Sequence, residues 1–161
     1  MDRSLRPGAR GGNRAAVRSR RGSTRGGAVT RLGPVSQELE AVRCTIAAIN
    51  RRDPLGVATT LAPDVAFIDA HGRRFEGRDT LMEGWRGYFA TFPDYQIEID
   101  KEQAGAGGVL LLGHASGSFR GRRERAWRIP IAIRAEVRGG LVSLWQVFAD
   151  THLPFESMRG G

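Results

Sequence analysis

Residues 64–89 read DVAFIDAHGRRFEGRDTLMEGWRGYF, and the pattern of this stretch decides the fold. Apolar and polar residues alternate over residues 65–70, which predicts a short strand. A turn is expected at residues 71–72, where a glycine ends the alternation. A second short strand is predicted over residues 73–76, and a helix begins within residues 77–79. The stretch therefore predicts a hairpin that leads directly into a helix.

The same stretch contains the main candidate for a functional site. Side chains alternate along a strand, so every second residue faces the same side. In the first strand these residues are Val65, Phe67, Asp69 and His71. Helical spacing places a second, aromatic-rich set on one face of the following helix: Leu81, Trp85, Phe89 and Phe92. Asp69 has two interpretations: an ordinary turn residue of the Asp-Ala-His-Gly segment, or a carboxylate beside an apolar lid, whose catalytic role requires that burial by Phe67 and Trp85 raise its pKa.

The net charge of +8 is concentrated at one end of the chain. Residues 1–33 contain nine arginines and one aspartate, whereas residues 34–161 contain sixteen basic and sixteen acidic residues. The first segment has almost nothing apolar to bury, so we predict a disordered Arg/Gly-rich leader over residues 1–33. Two interpretations of it stay open: an arm that binds phosphates, or a segment without a selected function that precedes the natural start. It has no aromatic residue to stack on bases, so nucleic-acid binding is not the favoured interpretation.

Targeting signals are not evident in the sequence. No apolar run of the length of a signal peptide follows the basic N-terminal segment, and no stretch is long enough to span a membrane. A single cysteine, Cys44, excludes an intramolecular disulfide and fits a reducing compartment. We therefore predict a cytoplasmic protein that does not bind membranes.

Helices come first in the chain and strands later. Helical periodicity predicts a helix over residues 37–52, and Asp53 followed by Pro54 predicts a short second one. After the central stretch, alternating patterns predict strands near residues 95–99, 109–120, 127–137 and 141–150. Helices followed by an antiparallel meander indicate an α+β fold. We predict one domain over residues 34–153 and a C-terminal tail over residues 154–161.

Three phrases of this sequence resemble the SnoaL-like polyketide cyclases and ketosteroid-isomerase-like proteins of the nuclear-transport-factor-like superfamily. They are AAINRRDPLGVATTLAPDVAFID, FEGRDTLMEGWRGYFATFPDYQIEI and GGLVSLWQVFAD, and the likeness covers about residues 37–150. The resemblance implies a cone-shaped, curved antiparallel sheet packed on N-terminal helices. It also implies a small-molecule pocket between sheet and helices, and a homodimer formed through the sheet.

The resemblance allows catalytic positions to be matched one at a time. In the steroid isomerases the general base lies near the end of the first strand, where this chain has Asp69. Their two oxyanion donors match Thr45 and Ala132, neither of which can replace them, so steroid isomerisation is not predicted. In the limonene-epoxide-hydrolase branch, the places of a tyrosine and an asparagine match Phe67 and Asp69, and Val147 stands where an aspartate is needed. That hydrolysis is not predicted either.

The SnoaL-like cyclases remain, and the resemblance implies a cofactor-independent reaction that uses one acid/base residue in a dry cavity. The candidate catalytic residues are Asp69, Asp150 and His114. The candidate substrate-binding residues are Phe67, His71, Trp85, Phe89, Arg134, Gln146 and Phe148. The histidines show no ligand spacing, so no metal is expected, and the resemblance implies a reaction without a cofactor.

Two functions of different classes stay open at this point. One is a cyclase- or isomerase-type enzyme acting by acid/base chemistry on a small apolar molecule. The other is a non-catalytic binding or interaction module that uses the same pocket. The pKa of Asp69 distinguishes them, because a raised value favours catalysis and an ordinary value favours the binding module.

Overall fold

The computed structural model describes residues 33–159, which all belong to one compact unit. The helices are α1 Pro34–Asn50, α2 Pro54–Thr60, α3 Arg78–Thr91 and α4 His152–Met158. The strands are β1 Leu61–Ile68, β2 Arg74–Glu76, β3 Gln96–Gly105, β4 Gly108–Ser118, β5 Ala126–Arg138 and β6 Leu141–Ala149. The predicted leader lies outside the described residues except for its last residue, Gly33.

Local sequence signals explain where several elements begin. Asp53 caps α2, since its carboxylate accepts a hydrogen bond from the backbone N–H of Gly56 at 2.9 Å. Pro54 occupies the first position of that helix, where a missing N–H costs nothing. Gly139 and Gly140 both have positive φ, which allows the tight turn between β5 and β6.

The six strands form one curved, unclosed sheet in the order β2-β1-β6-β5-β4-β3. Register shifts interrupt the pairing of β1 with β6, β3 with β4, and β5 with β6. Such irregularities bend and twist a sheet locally. The predicted cone-shaped α+β fold is confirmed. The sheet is mixed, however, because β1 pairs in parallel with β6 while every other pair is antiparallel.

The sheet has an inner face that carries the core and an outer face turned away from it. Along β5 the odd-numbered side chains Trp127, Ile129, Ile131 and Ile133 are buried. The even-numbered ones, from Arg128 to Glu136, are exposed or only partly buried. Helix α1 packs against β3, β4, β5 and β6 and adds Val42 and Ile49 to the core. This parity decides which of the predicted site residues can face a ligand.

The last helix was not predicted from the sequence. Helix α4 spans His152–Met158, so the predicted boundary between domain and tail, after residue 153, falls inside it. The helix contacts β4 and β5 and buries Pro154. None of the described helices is both long enough and apolar enough to cross a bilayer.

Candidate functional site

A cavity of about 550 Å³ lies between the inner face of the sheet and helices α3 and α4. Its volume falls within the range of small-molecule binding sites. Each surrounding element contributes apolar side chains to the wall. Prominent among them are Phe67, Trp85, Trp127, Ile129 and Phe155. The arrangement can enclose an apolar, ring-containing molecule.

Aromatic contacts hold the wall of the cavity in place. Trp85 stacks on Phe89 with ring centroids 5.3 Å apart and meets Phe67 edge-on at 6.4 Å. Phe67 and Trp85 therefore lie on the cavity wall, as the spacing predicted. Phe89 is buried behind Trp85 and supports it without lining the cavity, so its predicted contact with a substrate is not available in this geometry.

Asp69 lies where β1 ends, and its carboxylate organises the following turn. Its Oδ1 accepts hydrogen bonds from the backbone N–H groups of His71 and Arg73, each at 2.9 Å. Its Oδ2 accepts one from Nε of Arg73 at 2.7 Å. Asp69 lines the cavity, and the exposed fraction of its side chain is 15%.

The pKa of Asp69 is the result of opposing effects. Burial raises it, but the hydrogen bonds from Arg73 and His71, together with the charge of Arg73, lower it by more. The net result is a pKa below the ordinary value of 3.8. The rise in pKa that the catalytic interpretation requires is not present, because the turn that follows β1 supplies three donors to the charged form.

This lowered pKa predicts a pH-dependent loss of stability. The unfolded chain binds a proton at Asp69 more readily than the folded chain, so the stabilisation is present above pH 3.8 and is lost as pH falls through the folded pKa. We expect Asp69→Asn to lower the free energy of unfolding by about 1 kcal/mol near neutral pH, since solvent screens the exposed Arg73. The difference should disappear in acid. Urea unfolding of the wild type and of Asp69→Asn, near neutral pH and in acid, measures this difference in the free energy of unfolding. An equal loss of stability under both conditions would contradict a contribution from the ion pair of Asp69 with Arg73.

His71 links the turn after β1 to helix α4. Its Nε2 lies 3.1 Å from Oγ1 of Thr151, and its ring lies 5.5 Å from that of Phe155. Asp69, His71, Arg73 and Thr151 all line the cavity, and we call this group the mouth. The mouth is where the polar side chains of β1, the turn and the start of α4 meet.

Four other predicted site residues lie on the outer face of the sheet, away from the cavity. His114 pairs across the strands with Pro130, Arg134 with Gln146, and Phe148 with Ala132. The prediction that placed them at the pocket is wrong, because the even-numbered side chains of β4, β5 and β6 lie on the outer side of the sheet. Neighbouring residues of a strand face opposite sides, so an error of one residue moves the whole set.

Two of the outer-face residues have a neighbouring carboxylate, although Nδ1 of His114 makes no hydrogen bond to a described residue. Nδ1 of His114 lies 3.1 Å from Oδ2 of Asp100, and Arg134 forms an ion pair with Glu136. Asp150 is also misplaced by the prediction. It is exposed, does not line the cavity, and accepts a hydrogen bond from the backbone N–H of His152 at 3.0 Å.

Two residues missed as site residues, Tyr88 and Tyr95, line the cavity. Burial raises the pKa of Tyr88, and burial together with the nearby Tyr88 raises that of Tyr95. In the sequence, Tyr88 belongs to the aromatic run of a predicted helix and Tyr95 opens an alternating segment, and neither pattern by itself marks a site residue. The available signal was a phenol hydroxyl within an otherwise apolar aromatic run, because a buried tyrosine needs a partner for that hydroxyl.

Metal binding receives no support from side-chain clusters within residues 33–159. No group of three or more His, Cys, Asp or Glu residues there is arranged to hold an ion.

A curved sheet that encloses an apolar cavity against helices defines the cone-shaped α+β class of the nuclear-transport-factor-like proteins. The chain belongs to the SnoaL-like domain family, whose model matches residues 42–145. The family resemblance predicted from the sequence is therefore confirmed. No curated protein matches the sequence.

Solved structures with the same fold include proteins of different activities. A candidate SnoaL-like polyketide cyclase from Jannaschia sp. CCS1 is 14% identical, with a TM-score of 0.69 over 82% of this chain and 99% of that one. An LEH-like epoxide hydrolase from M. tuberculosis is 16% identical, with a TM-score of 0.69 over 80% and 89%. A protein with a ketosteroid isomerase-like fold from Catenulispora acidiphila DSM 44928, in complex with trimethylamine, is 22% identical, with a TM-score of 0.62 over 68% of this chain and 84% of that one. These identities support a shared fold and transfer no activity.

Proposed function

We propose that this protein binds a small, largely apolar, ring-containing molecule in the cavity. The observation that carries the proposal is the cavity itself, about 550 Å³ in volume and walled mainly by aromatic and aliphatic side chains. Enclosing a ring system there removes apolar surface from water, which stabilises a complex by about 25 cal/mol for each Å² buried. The mouth supplies polar groups that can orient the molecule.

The state of Asp69 favours binding without catalysis. A general base works best when its pKa lies near the working pH, and enzymes raise the pKa of a carboxyl group for that purpose. Here three hydrogen bonds hold Asp69 in the charged form and lower its pKa. A carboxylate so stabilised is a weak base.

The three tryptophans provide the test of this proposal. Trp85 and Trp127 line the cavity, whereas Trp145 is buried and does not line it. We expect naphthalene, added to the protein, to shift the indole N–H resonances of Trp85 and Trp127 in a ¹H–¹⁵N spectrum. The resonance of Trp145 is the internal control and should stay nearly unchanged. Three unchanged resonances at saturating naphthalene would overturn the proposal.

The second candidate is a cofactor-independent enzyme of the cyclase or isomerase type. It is favoured by Asp69 and His71 lining the same cavity, where the carboxylate can take a proton from a carbon next to a carbonyl group. Deuterium exchange at that carbon of 2-tetralone tests it by NMR. An acceleration that Asp69→Asn removes, and that Asp64→Asn on an exposed site leaves intact, would support the enzyme. We expect no acceleration that depends on Asp69.

The outer face of the sheet is the proposed homodimer surface. Leu112, Ala132 and Phe148 lie side by side on β4, β5 and β6, and the exposed fractions of Leu112 and Phe148 are 44% and 49%. Exposed apolar rows of this kind are typical of association sites. We expect Phe148→Glu to halve the mass measured by light scattering, whereas Leu153→Glu, on α4, should leave it unchanged. An unchanged mass for Phe148→Glu would contradict this surface.

The cytoplasmic location and a contact of residues 1–33 with nucleic acid stay predictions. Salt-dependent DNA binding that is lost when residues 1–33 are removed would support the second of them.

A further inference from the structure

Tyr88 and Tyr95 form a pair of phenols on the wall of the cavity. Tyr88 belongs to α3, and Tyr95 directly precedes β3. Their rings meet edge-on with centroids 4.9 Å apart, and both residues line the cavity. They are the chain's two tyrosines. We call them the phenol pair.

The hydroxyl groups of the phenol pair have no hydrogen-bond partner within residues 33–159. A ligand that covers these hydroxyls removes them from water, and that loss is offset only if the ligand supplies a hydrogen-bond acceptor. The indole nitrogens of Trp127 and Trp145 are also unpaired, but they are sealed from any surface, whereas the tyrosine hydroxyls are not among the sealed atoms. A molecule in the cavity can therefore reach the hydroxyls.

The surroundings of the phenol pair define what it can bind. Its ring neighbours are Trp85, Phe92 and Trp127, which carry no charge. Burial raises the pKa values of both phenols, so each hydroxyl keeps its proton and can donate it. A neutral phenol donates a hydrogen bond more readily than it accepts one. The complementary ligand group is an uncharged oxygen acceptor.

We infer that the phenol pair is a subsite for a carbonyl oxygen, so that the ligand is an aromatic ketone or quinone. This inference rests on the proposed binding function and names its class of ligand. The ring body lies among the aromatic wall residues, and the oxygen accepts hydrogen bonds from Tyr88 and Tyr95. A pure hydrocarbon of the same shape leaves both hydroxyls unpaired, and this difference is the origin of the selectivity.

Two probes of nearly equal shape isolate the contribution of the oxygen. 2-Acetylnaphthalene carries a carbonyl group, and 2-isopropenylnaphthalene has a methylene group in place of the oxygen. We expect the wild-type protein to bind the ketone about tenfold more tightly than the hydrocarbon, and Tyr88→Phe or Tyr95→Phe to weaken the ketone about fivefold. Hydrocarbon affinity should stay unchanged in both variants, which also confirms that they fold. Trp145→Phe, which removes a buried donor outside the cavity lining, is the matched control and should change neither affinity.

The vibration of the bound carbonyl group provides a second readout. A hydrogen-bonded carbonyl absorbs at lower infrared frequency than a free one, so the ¹³C-labelled ketone should absorb lower in the wild type than in the Tyr88→Phe/Tyr95→Phe double variant. Equal affinity for both probes, insensitive to both tyrosines, would overturn the carbonyl subsite and leave the proposed binding function intact. Failure of both probes to bind the wild type would overturn the two together.

Discussion

A Gly113→Ala variant is expected to lose about 3 kcal/mol or more of unfolding free energy. A β-carbon added at residue 113 would lie 1.9 Å from the carbonyl oxygen of Glu98 and 3.0 Å from Cα of Ile99. These are backbone atoms, which cannot rotate away as the end of a flexible side chain could. The register of β3 against β4 shifts directly after Ile99, so the irregular strand is pressed onto β4 at the glycine.

The matched control is Gly107→Ala, in the turn between β3 and β4. A β-carbon there meets nothing within 4 Å, so we expect a change within about 0.5 kcal/mol. Chemical denaturation of the two variants measures both effects. Similar stabilities for the two variants would show that the strands can separate at Gly113 at little cost.

The second large effect is expected from filling the cavity. Ala149 lies on the inner side of β6, opposite Ile131, and both residues line the cavity. We expect Ala149→Phe to weaken naphthalene binding at least about tenfold, because a phenyl group there occupies the space of the ligand ring and removes the apolar area it would bury. Titration of the Trp85 and Trp127 indole resonances measures the affinity.

The control for that variant is Ala132→Phe, the same substitution on the outer face of β5. Ala132 is a neighbour of Phe148, so its side chain cannot reach the cavity. Affinity for naphthalene should stay within about twofold of the wild type, since the apolar area buried by the ligand does not change. A variant at residue 149 that still folds and binds naphthalene with unchanged affinity would show that the ligand lies elsewhere.

Periodicity in the sequence was sufficient for most of the elements. The alternation around Phe67, the helical spacing from Leu81 to Phe89 and the glycines at residues 139–140 each predicted an element that the structure contains. These patterns are local, because a side chain's distance from the core repeats every two residues in a strand and about every 3.6 in a helix. Helix α4 lacked such a pattern, since it is short and its burial comes from contacts with β4 and β5.

Which side of each later strand faces the cavity could not be obtained in that way. Along β6 the side chains of Gln146 and Phe148 point to one side of the sheet and that of Val147 points to the other. The local sequence does not indicate which of the two sides faces the cavity. Phe148 has the larger apolar side chain and would be the expected choice for the inner side. In the structure, however, Val147 lines the cavity and Phe148 is 49% exposed. The pairing of β6 with β1 and β5 decides it. The placement of Gln146 and Phe148 failed for this reason, and His114 and Arg134 lie on the same outer side through their pairing on β4 and β5.

By itself, then, the sequence determined that this chain is an α+β cone of the SnoaL-like family. It also indicated that the strand before Asp69 and the helix that contains Trp85 are neighbours. Only the tertiary structure decided that Asp69 is held ionised by the turn and Arg73, and that the phenol pair lines the cavity. The physical reason is range. Secondary structure follows from the order of neighbouring residues, whereas a pKa and a vacant hydrogen-bond donor depend on groups that folding brings together.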